Sequence, residues 1–108
     1  MKETSSAKWT YLDGVAHSEK HPDTFHIPSD KVKAKIEKGY WVKVGFVHPK
    51  GNTERLWVYV IERLGDLIRG TIDNDPVLFA KSSLECGQIV TLTVDHVLGI
   101  LDPQGDPV

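Results

Sequence analysis

Two stretches near the middle of the chain decide the fold: residues 40–47 read YWVKVGFV, and residues 56–61 read LWVYVI. Apolar residues recur at every second position of the first stretch, which is the period of a β-strand with one buried face. The second stretch is apolar on both faces, which is typical of a central strand. The polar segment between them, residues 48–53, predicts a loop or hairpin tip.

The residues that follow predict a second hairpin. Leu64, Gly65 and Asp66 form a tight turn, and residues 67–72 form the next strand. Gly70 lies in the middle of that strand. A glycine inside a strand indicates a bulge or a close approach of another backbone, so we assign Gly70 a structural role.

The next turn and the last strands follow from the same pattern. Residues 73–76 read DNDP, in which Asn74 is expected to bond to backbone amides and Pro76 to fix the exit from the turn. Residues 89–94 alternate again between apolar and polar side chains. Residues 97–101 predict a short strand or turn.

The N-terminal third predicts short helices joined by an extended connector. Apolar spacings of three and four within residues 12–16 fit a short helix, and two prolines make residues 21–28 extended. Ser29 or Asp30 caps a second helix of about two turns, which ends at Gly39.

The chain has 108 residues, which is the size of a single domain. We divide it into a flexible N-terminus (1–8), a helical or extended segment (9–39), a β-rich core (40–101) and a frayed tail (102–108). The predicted fold class is α+β. Short N-terminal helices accompany an antiparallel meander of about four strands, as a curled sheet or a small, partly open SH3-like barrel.

Composition excludes several classes of protein. Thirteen basic and fifteen acidic residues give a net charge of -2, which argues against a disordered chain and against a strongly basic nucleic-acid binder. No apolar run approaches the roughly 20 residues that span a bilayer. The N-terminus has no signal-peptide pattern, and the single Cys86 excludes an internal disulfide. We expect a cytoplasmic protein without a membrane partner and without a cofactor.

Five segments together carry a family resemblance. They are GYWVKV at residues 39–44, LWVYV at 56–60, GTIDNDP at 70–76, CGQIV at 86–90 and HVLGI at 96–100. With PDTFHIP at residues 22–28, this combination resembles the YegJ-like family of bacterial domains of unknown function over residues 21–102. Gln88 stands where that family has an acidic residue, and Ile72 where it has leucine. The resemblance implies the architecture and a bacterial or phage origin, and no activity.

Three histidines form the first candidate metal site. His17, His21 and His26 have spacings of four and five residues, and three imidazoles with an open position suit zinc or nickel. Pro22 interrupts any helix that would carry all three. We therefore favour exposed histidines and predict no metal site.

Two further groups could carry catalysis. Asp73, Asp75 and His96 would suit general acid–base work or a divalent cation if they converged on one pocket. The simpler interpretation is a turn whose side chains bond to nearby amides. Cys86 with His96 could form a thiol nucleophile, but no residue lowers the thiol pKa in an evident way, and we favour an inert thiol. We predict no catalytic residue.

Aromatic and basic residues share one face of the predicted sheet. Strand parity places Trp41 and Lys43 on the face opposite the buried valines, with Trp57 and Tyr59 beside them and Arg69 on the next strand. Aromatic residues and arginine are enriched at protein-binding hot spots. These five residues are our candidate binding residues.

A covering segment is the other explanation for this apolar second face. The side chains expected to cover it lie in the N-terminal segment, at Trp9, Tyr11, Phe25 and Ile27.

The sequence favours a non-catalytic protein-interaction module of bacterial or phage origin. One version is an inhibitor or immunity-type protein, and the partner would be another protein bound by a monomer or homodimer. The alternatives are a small hydrolase or metal-binding enzyme that uses Asp73, Asp75 and His96, and a module that stacks single-stranded nucleic acid on its aromatic rings.

Overall fold

A computed structural model of the chain describes residues 9–23, 26–77, 79 and 84–108. Within these ranges it contains six strands, two α-helices and a single 3-10 turn. The strands are β1 (Thr10–Tyr11), β2 (Trp41–Val47), β3 (Thr53–Leu64), β4 (Leu67–Ile72), β5 (Ile89–Thr93) and β6 (Val97–Leu101). The helices are α1 (Gly14–Lys20) and α2 (Asp30–Lys33), and the 3-10 turn is Val94–His96.

The strands form one antiparallel sheet in the order β1-β2-β3-β4-β5, with β6 also paired to β2. Two strands pair with the same edge of β2. Strand β6 pairs with Trp41 to Val44, and β1 pairs with Phe46 and Val47. The sheet is curled, so that its two end strands, β1 and β5, approach each other. The hydroxyl of Tyr11 on β1 donates to the carbonyl oxygen of Thr91 on β5 at 2.7 Å.

This curled sheet with short N-terminal helices confirms the predicted fold class in its coarse form. The second helix is shorter than expected, the first extends to Lys20, and six strands replace the expected four or so.

The core fills the concave side of the sheet, which we call the inner face. Val42, Val44, Phe46, Val58 and Val60 are all fully buried there. Ile68, Ile72, Leu84, Leu92 and Val97 complete this layer from the remaining strands and the segment before β5. Alternate residues of each strand therefore point to the opposite side, which we call the outer face.

The N-terminal aromatic residues belong to this core. The Trp9 ring centroid lies 5.1 Å from that of Phe46, and the Tyr11 centroid lies 5.6 Å from it. Both residues pack against the core cluster. The short strand β1 thus contributes aromatic rings to the inner face.

The two helices start at the caps that the sequence provides. Asp13 accepts a hydrogen bond from the amide of Ala16 at 3.0 Å, and the side chain of Ser29 accepts from the amide of Val32. Helix α1 begins at Gly14, where a Cβ would lie 2.8 Å from Leu98 Cδ2. Glycine therefore lets α1 approach β6.

Helix α2 stops after four residues, so the predicted length of two turns, up to Gly39, is wrong. The guanidinium of Arg63 on β3 donates to the carbonyl oxygens of Lys33 and Ile36, at 2.7 and 3.0 Å. Because a side chain from the sheet satisfies these carbonyls, the chain leaves the helix without losing hydrogen bonds.

Gly70 has the role that the sequence predicted. It lies opposite Val60, where the β3–β4 register shifts between Val60 and Glu62 as at a bulge. A Cβ at this position would lie 2.6 Å from Val58 Cγ1 and still closer to the carbonyl oxygen of Tyr59. Only glycine allows the two strands to approach this closely.

The last seven residues, expected as a frayed tail, form hydrogen bonds with one another and with β6. The Asp102 carboxylate accepts from the amides of Gln104 and Asp106, both at 2.9 Å. The amide of Val108 then donates to the carbonyl oxygen of Ile100 at 3.1 Å. The tail therefore folds back along β6.

Candidate functional site

Four of the five candidate binding residues form one cluster on the outer face. Lys43 of β2 lies directly opposite Trp57 of β3, and Trp41 lies opposite Tyr59. All four side chains are half-buried. We call this cluster, made of Trp41, Lys43, Trp57 and Tyr59, the aromatic face.

The side chains of the aromatic face pack in two pairs. The rings of Trp41 and Tyr59 are tilted at 59° to each other, with 5.2 Å between centroids. The Nζ atom of Lys43 lies 5.1 Å from the centroid of the Trp57 ring, within range for a cation–π interaction. The cluster therefore consists of one ring–ring pair and one cation–ring pair.

Gly99 on β6 lies beside Lys43 and the Trp57 ring. Gly99 pairs with Lys43 on the side of β2 away from β3. A Cβ at Gly99 would lie 3.5 Å from Lys43 Cβ and 3.8 Å from Trp57 Cη2, so the indole reaches across β2 as far as β6. Sequence reasoning missed Gly99, because the pairing of β6 with β2 is not visible in the sequence.

The DNDP turn holds the aromatic face in position. Asp73 Oδ2 accepts a hydrogen bond from Trp41 Nε1 at 2.9 Å. Asn74 Oδ1 accepts from the backbone amide of Trp57, and the carbonyl oxygen of Trp57 accepts from the amide of Asp73 at 2.8 Å. The turn thus restrains the Trp41 indole directly, and it holds the backbone of Trp57.

Arg69 lies on the outer face but apart from the aromatic face. It forms an ion pair with Glu62 at 3.1 Å, and both side chains are nearly half exposed. The registers place Thr71, two residues further along β4, opposite Tyr59. Arg69 therefore belongs to the hairpin end of the sheet, where its charge is already paired.

Two of the residues expected to cover the aromatic face lie elsewhere. Trp9 and Tyr11 pack against Phe46 on the inner face, so that part of the covering hypothesis is wrong. Ile27 lies by the start of α1, 3.4 Å from where a Cβ of Gly14 would be. Phe25 lies outside the described residues.

His96 forms a separate polar cluster at the closure of the sheet. Its ring stacks on Tyr11 with 4.6 Å between centroids, and its Nδ1 accepts from the amide of Thr93 at 3.1 Å. Burial lowers the pKa of His96, and the negative charges of Asp13 and Asp95 act in the opposite direction. Burial also raises the pKa of Tyr11 to about 12.

The structure does not bring the candidate catalytic residues together. Asp73 follows Ile72, the last residue of β4. His96 lies near the other end of β4, because it comes three residues after Thr93, which pairs with the first residue of β4. Six residues of strand separate the two ends, about 17 Å at 3.3 Å per residue. Asp73 is instead bonded to Trp41, and Asp75 is exposed.

The structure brings two of the three candidate histidines together. Helix α1 brings the rings of His17 and His21 to 4.7 Å, four residues apart. Across the described ranges, no three His, Cys, Asp or Glu side chains are grouped as a metal site. Cys86 is an exposed free thiol. In the same ranges, neither helix has the length and apolarity needed to cross a membrane.

Comparisons of this chain with protein-family models, with curated proteins and with solved structures found no match. The resemblance to the YegJ-like family therefore stays a prediction.

Proposed function

We propose that this chain is a non-catalytic interaction module that binds another protein through the aromatic face. One observation carries the proposal: two tryptophans, a tyrosine and a lysine lie together on the outer side of a sheet whose core is on the other side. Large aromatic side chains in such a position supply the contact area that dominates protein–protein binding.

The second support is that the aromatic face is held in place before any partner arrives. Asp73 restrains the Trp41 indole, and Asn74 restrains the backbone of Trp57. Ordering a side chain on binding costs about 0.5–1.5 kcal/mol, and a ring that is already fixed avoids most of that cost. A ring on the outer face that is held in place before binding therefore favours association with a partner.

The alternatives have less support. A hydrolase needs Asp73, Asp75 and His96 around one pocket, and the length of β4 separates Asp73 from His96. A single-strand binder needs several basic groups along the nucleic-acid backbone. Here Lys43 is the one basic residue of the aromatic face, and Arg69 is paired with Glu62.

Several finer features belong to the same proposal. They are an inhibitor or immunity-type role, a bacterial or phage origin with membership of the YegJ-like family, a cytoplasmic location, and the classification of the curled sheet as a partly open SH3-like barrel. The curled antiparallel sheet supports the last of these.

Affinity capture from cells of the source organism, followed by reconstitution, tests the proposal. The captured protein is purified, and its Kd is measured for the wild type, for Trp57→Ala and for Leu64→Ala. Leu64 is a matched control because it is an apolar residue, 63% exposed, at the far end of β3. We expect Trp57→Ala to weaken binding by about 30-fold, as at a hot spot, and Leu64→Ala to leave it unchanged. Equal affinity for all three proteins would refute the role of the aromatic face.

A further inference from the structure

Lys43 on the outer face has no acidic neighbour among the described residues. Among the described residues, the carboxylate of Glu62 is paired with Arg69, and that of Asp73 accepts from the Trp41 indole. The charged end of Lys43 contacts the ring of Trp57, and no carboxylate of those residues lies within 4 Å of it. Glu62 and Asp73 are thus both hydrogen-bonded or paired, whereas the ammonium group of Lys43 has no carboxylate partner among the described residues.

Lys43 also lies where a partner could reach it. It is on β2, between Trp57 on one side and Gly99 on the other. Because Gly99 has no side chain, it does not cover Lys43 on the β6 side. A cation–π contact uses one side of an ammonium group, which has three hydrogen-bond donors. The remaining donors are free to bind an acceptor from outside.

The neighbouring rings would strengthen such a contact. A carboxylate placed at Lys43 would be flanked by the rings of Trp41 and Trp57, which exclude water from the charged pair. An ion pair gains strength as its surroundings lose water, whereas a fully exposed pair contributes little. Apolar side chains beside the carboxylate would then pack on the rings.

From this geometry we infer that the partner presents an acidic segment, with a carboxylate that binds Lys43 Nζ and flanking apolar side chains that cover Trp57 and Trp41. The inference rests on the proposed function and names the chemistry of its partner. A carboxylate fits better than a nucleic-acid strand, because one unpaired lysine neutralises one charge, while a strand presents a phosphate at every nucleotide.

Two matched peptides test the inference. One is a dodecapeptide of alternating glutamate and leucine, and the other has glutamine in place of every glutamate. Binding is followed by the NMR signals of the tryptophan indole N–H groups. We expect the acidic peptide to bind about tenfold more tightly than its glutamine counterpart and to shift the Trp57 and Trp41 signals. Salt at about 0.5 M should remove most of that preference.

Lysine variants show whether Lys43 is responsible. Lys43→Gln should abolish the preference for the acidic peptide, and Lys43→Arg should retain it because the charge remains. Lys50→Gln is the matched control, since Lys50 is an exposed lysine in the β2–β3 loop. Equal affinity for both peptides would overturn the inference, as would a preference that survives Lys43→Gln. Tighter binding of oligo-dT at the same indole signals would assign the face to nucleic acid instead.

The captured partner separates this inference from the proposed function. If its binding depends on Trp57 but not on Lys43, the interaction face stands and the acidic partner is refuted. If its binding depends on neither residue, both are refuted.

Discussion

Asn74 shows how a single side chain can complete a sheet. The amide of Trp57 points towards β4, but β4 ends at Ile72 and offers no further carbonyl there. Asn74 Oδ1 takes the place of that carbonyl and accepts the hydrogen bond. Asn74, which the sequence predicts as a turn residue, therefore also extends the strand pairing.

We expect Asn74→Ala to destabilise the fold by about 1–2 kcal/mol, because a partly buried amide loses its acceptor. Thermal unfolding measured by circular dichroism should show a Tm lower by roughly 4–8 °C per kcal/mol. Asn74→Asp keeps an acceptor oxygen and is the control, with a smaller loss expected. An unchanged Tm for Asn74→Ala would contradict a stabilising role for this hydrogen bond.

His96 should make stability depend on pH. Its Nδ1 accepts from the Thr93 amide, which requires the neutral ring, and burial lowers its pKa from the ordinary 6.5. The unfolded chain therefore binds more protons than the folded chain at pH values just below 6.5. The stabilising effect of neutral His96 is fully present above that pH and is lost as the pH falls through the folded pKa.

Tm measured across mildly acidic pH tests this contribution against His96→Gln, which retains an acceptor but does not titrate. We expect the Tm of the wild type to fall more than the Tm of His96→Gln as the pH is lowered. His26→Gln, a change at an exposed histidine, should follow the wild type. If the wild type and His96→Gln respond alike to pH, other groups cause the acid sensitivity.

At the scale of elements, the sequence predicts best where one period continues over several residues. Strand β4 has the predicted bounds, 67–72, and β2 lies within the predicted 40–47, since alternation along these stretches matches one buried face. Strand β3 is longer than residues 56–61, because its polar ends pair with β2 and β4 without needing apolar side chains.

Elements that depend on distant contacts could not be predicted. Strand β1 has two residues, too few for any period, and it exists because it pairs with Val47 and Phe46 across the chain. At the early end of α2, the guanidinium of Arg63 on β3 donates to the carbonyl oxygen of Lys33, the last helical residue, and to that of Ile36 beyond it. Neither cause is visible in local sequence.

The same distinction applies to the aromatic face. Its four residues follow from strand parity and from the pairing of β2 with β3, both of which local patterns indicate. The Asp73–Trp41 hydrogen bond and the space above Gly99 depend on register between separate elements. Parity also places Arg69 on the correct side, but it cannot show that Glu62 pairs with its charge.

At the scale of the whole molecule, the two faces of the curled sheet have different roles: the inner face forms the core, and we propose that the outer face binds a partner. The inner face holds a closed core to which even Trp9 and Tyr11 of the N-terminal segment contribute. The outer face holds aromatic rings fixed by a turn. Truncation of an inner-face side chain should therefore reduce stability more than binding, and truncation of an outer-face side chain should reduce binding more than stability.

Phe46→Ala and Trp57→Ala test that division, one on each face of the sheet. Phe46 is fully buried, so its truncation should cost about 3–5 kcal/mol through lost burial and the cavity that remains. Trp57 is half-buried on the outer face, and its truncation should cost about 1 kcal/mol, the average for a point mutation. Urea unfolding gives both values. Should Trp57→Ala prove as costly as Phe46→Ala, the indole would be part of the core of the sheet, and the case for an interaction face would lose its main observation.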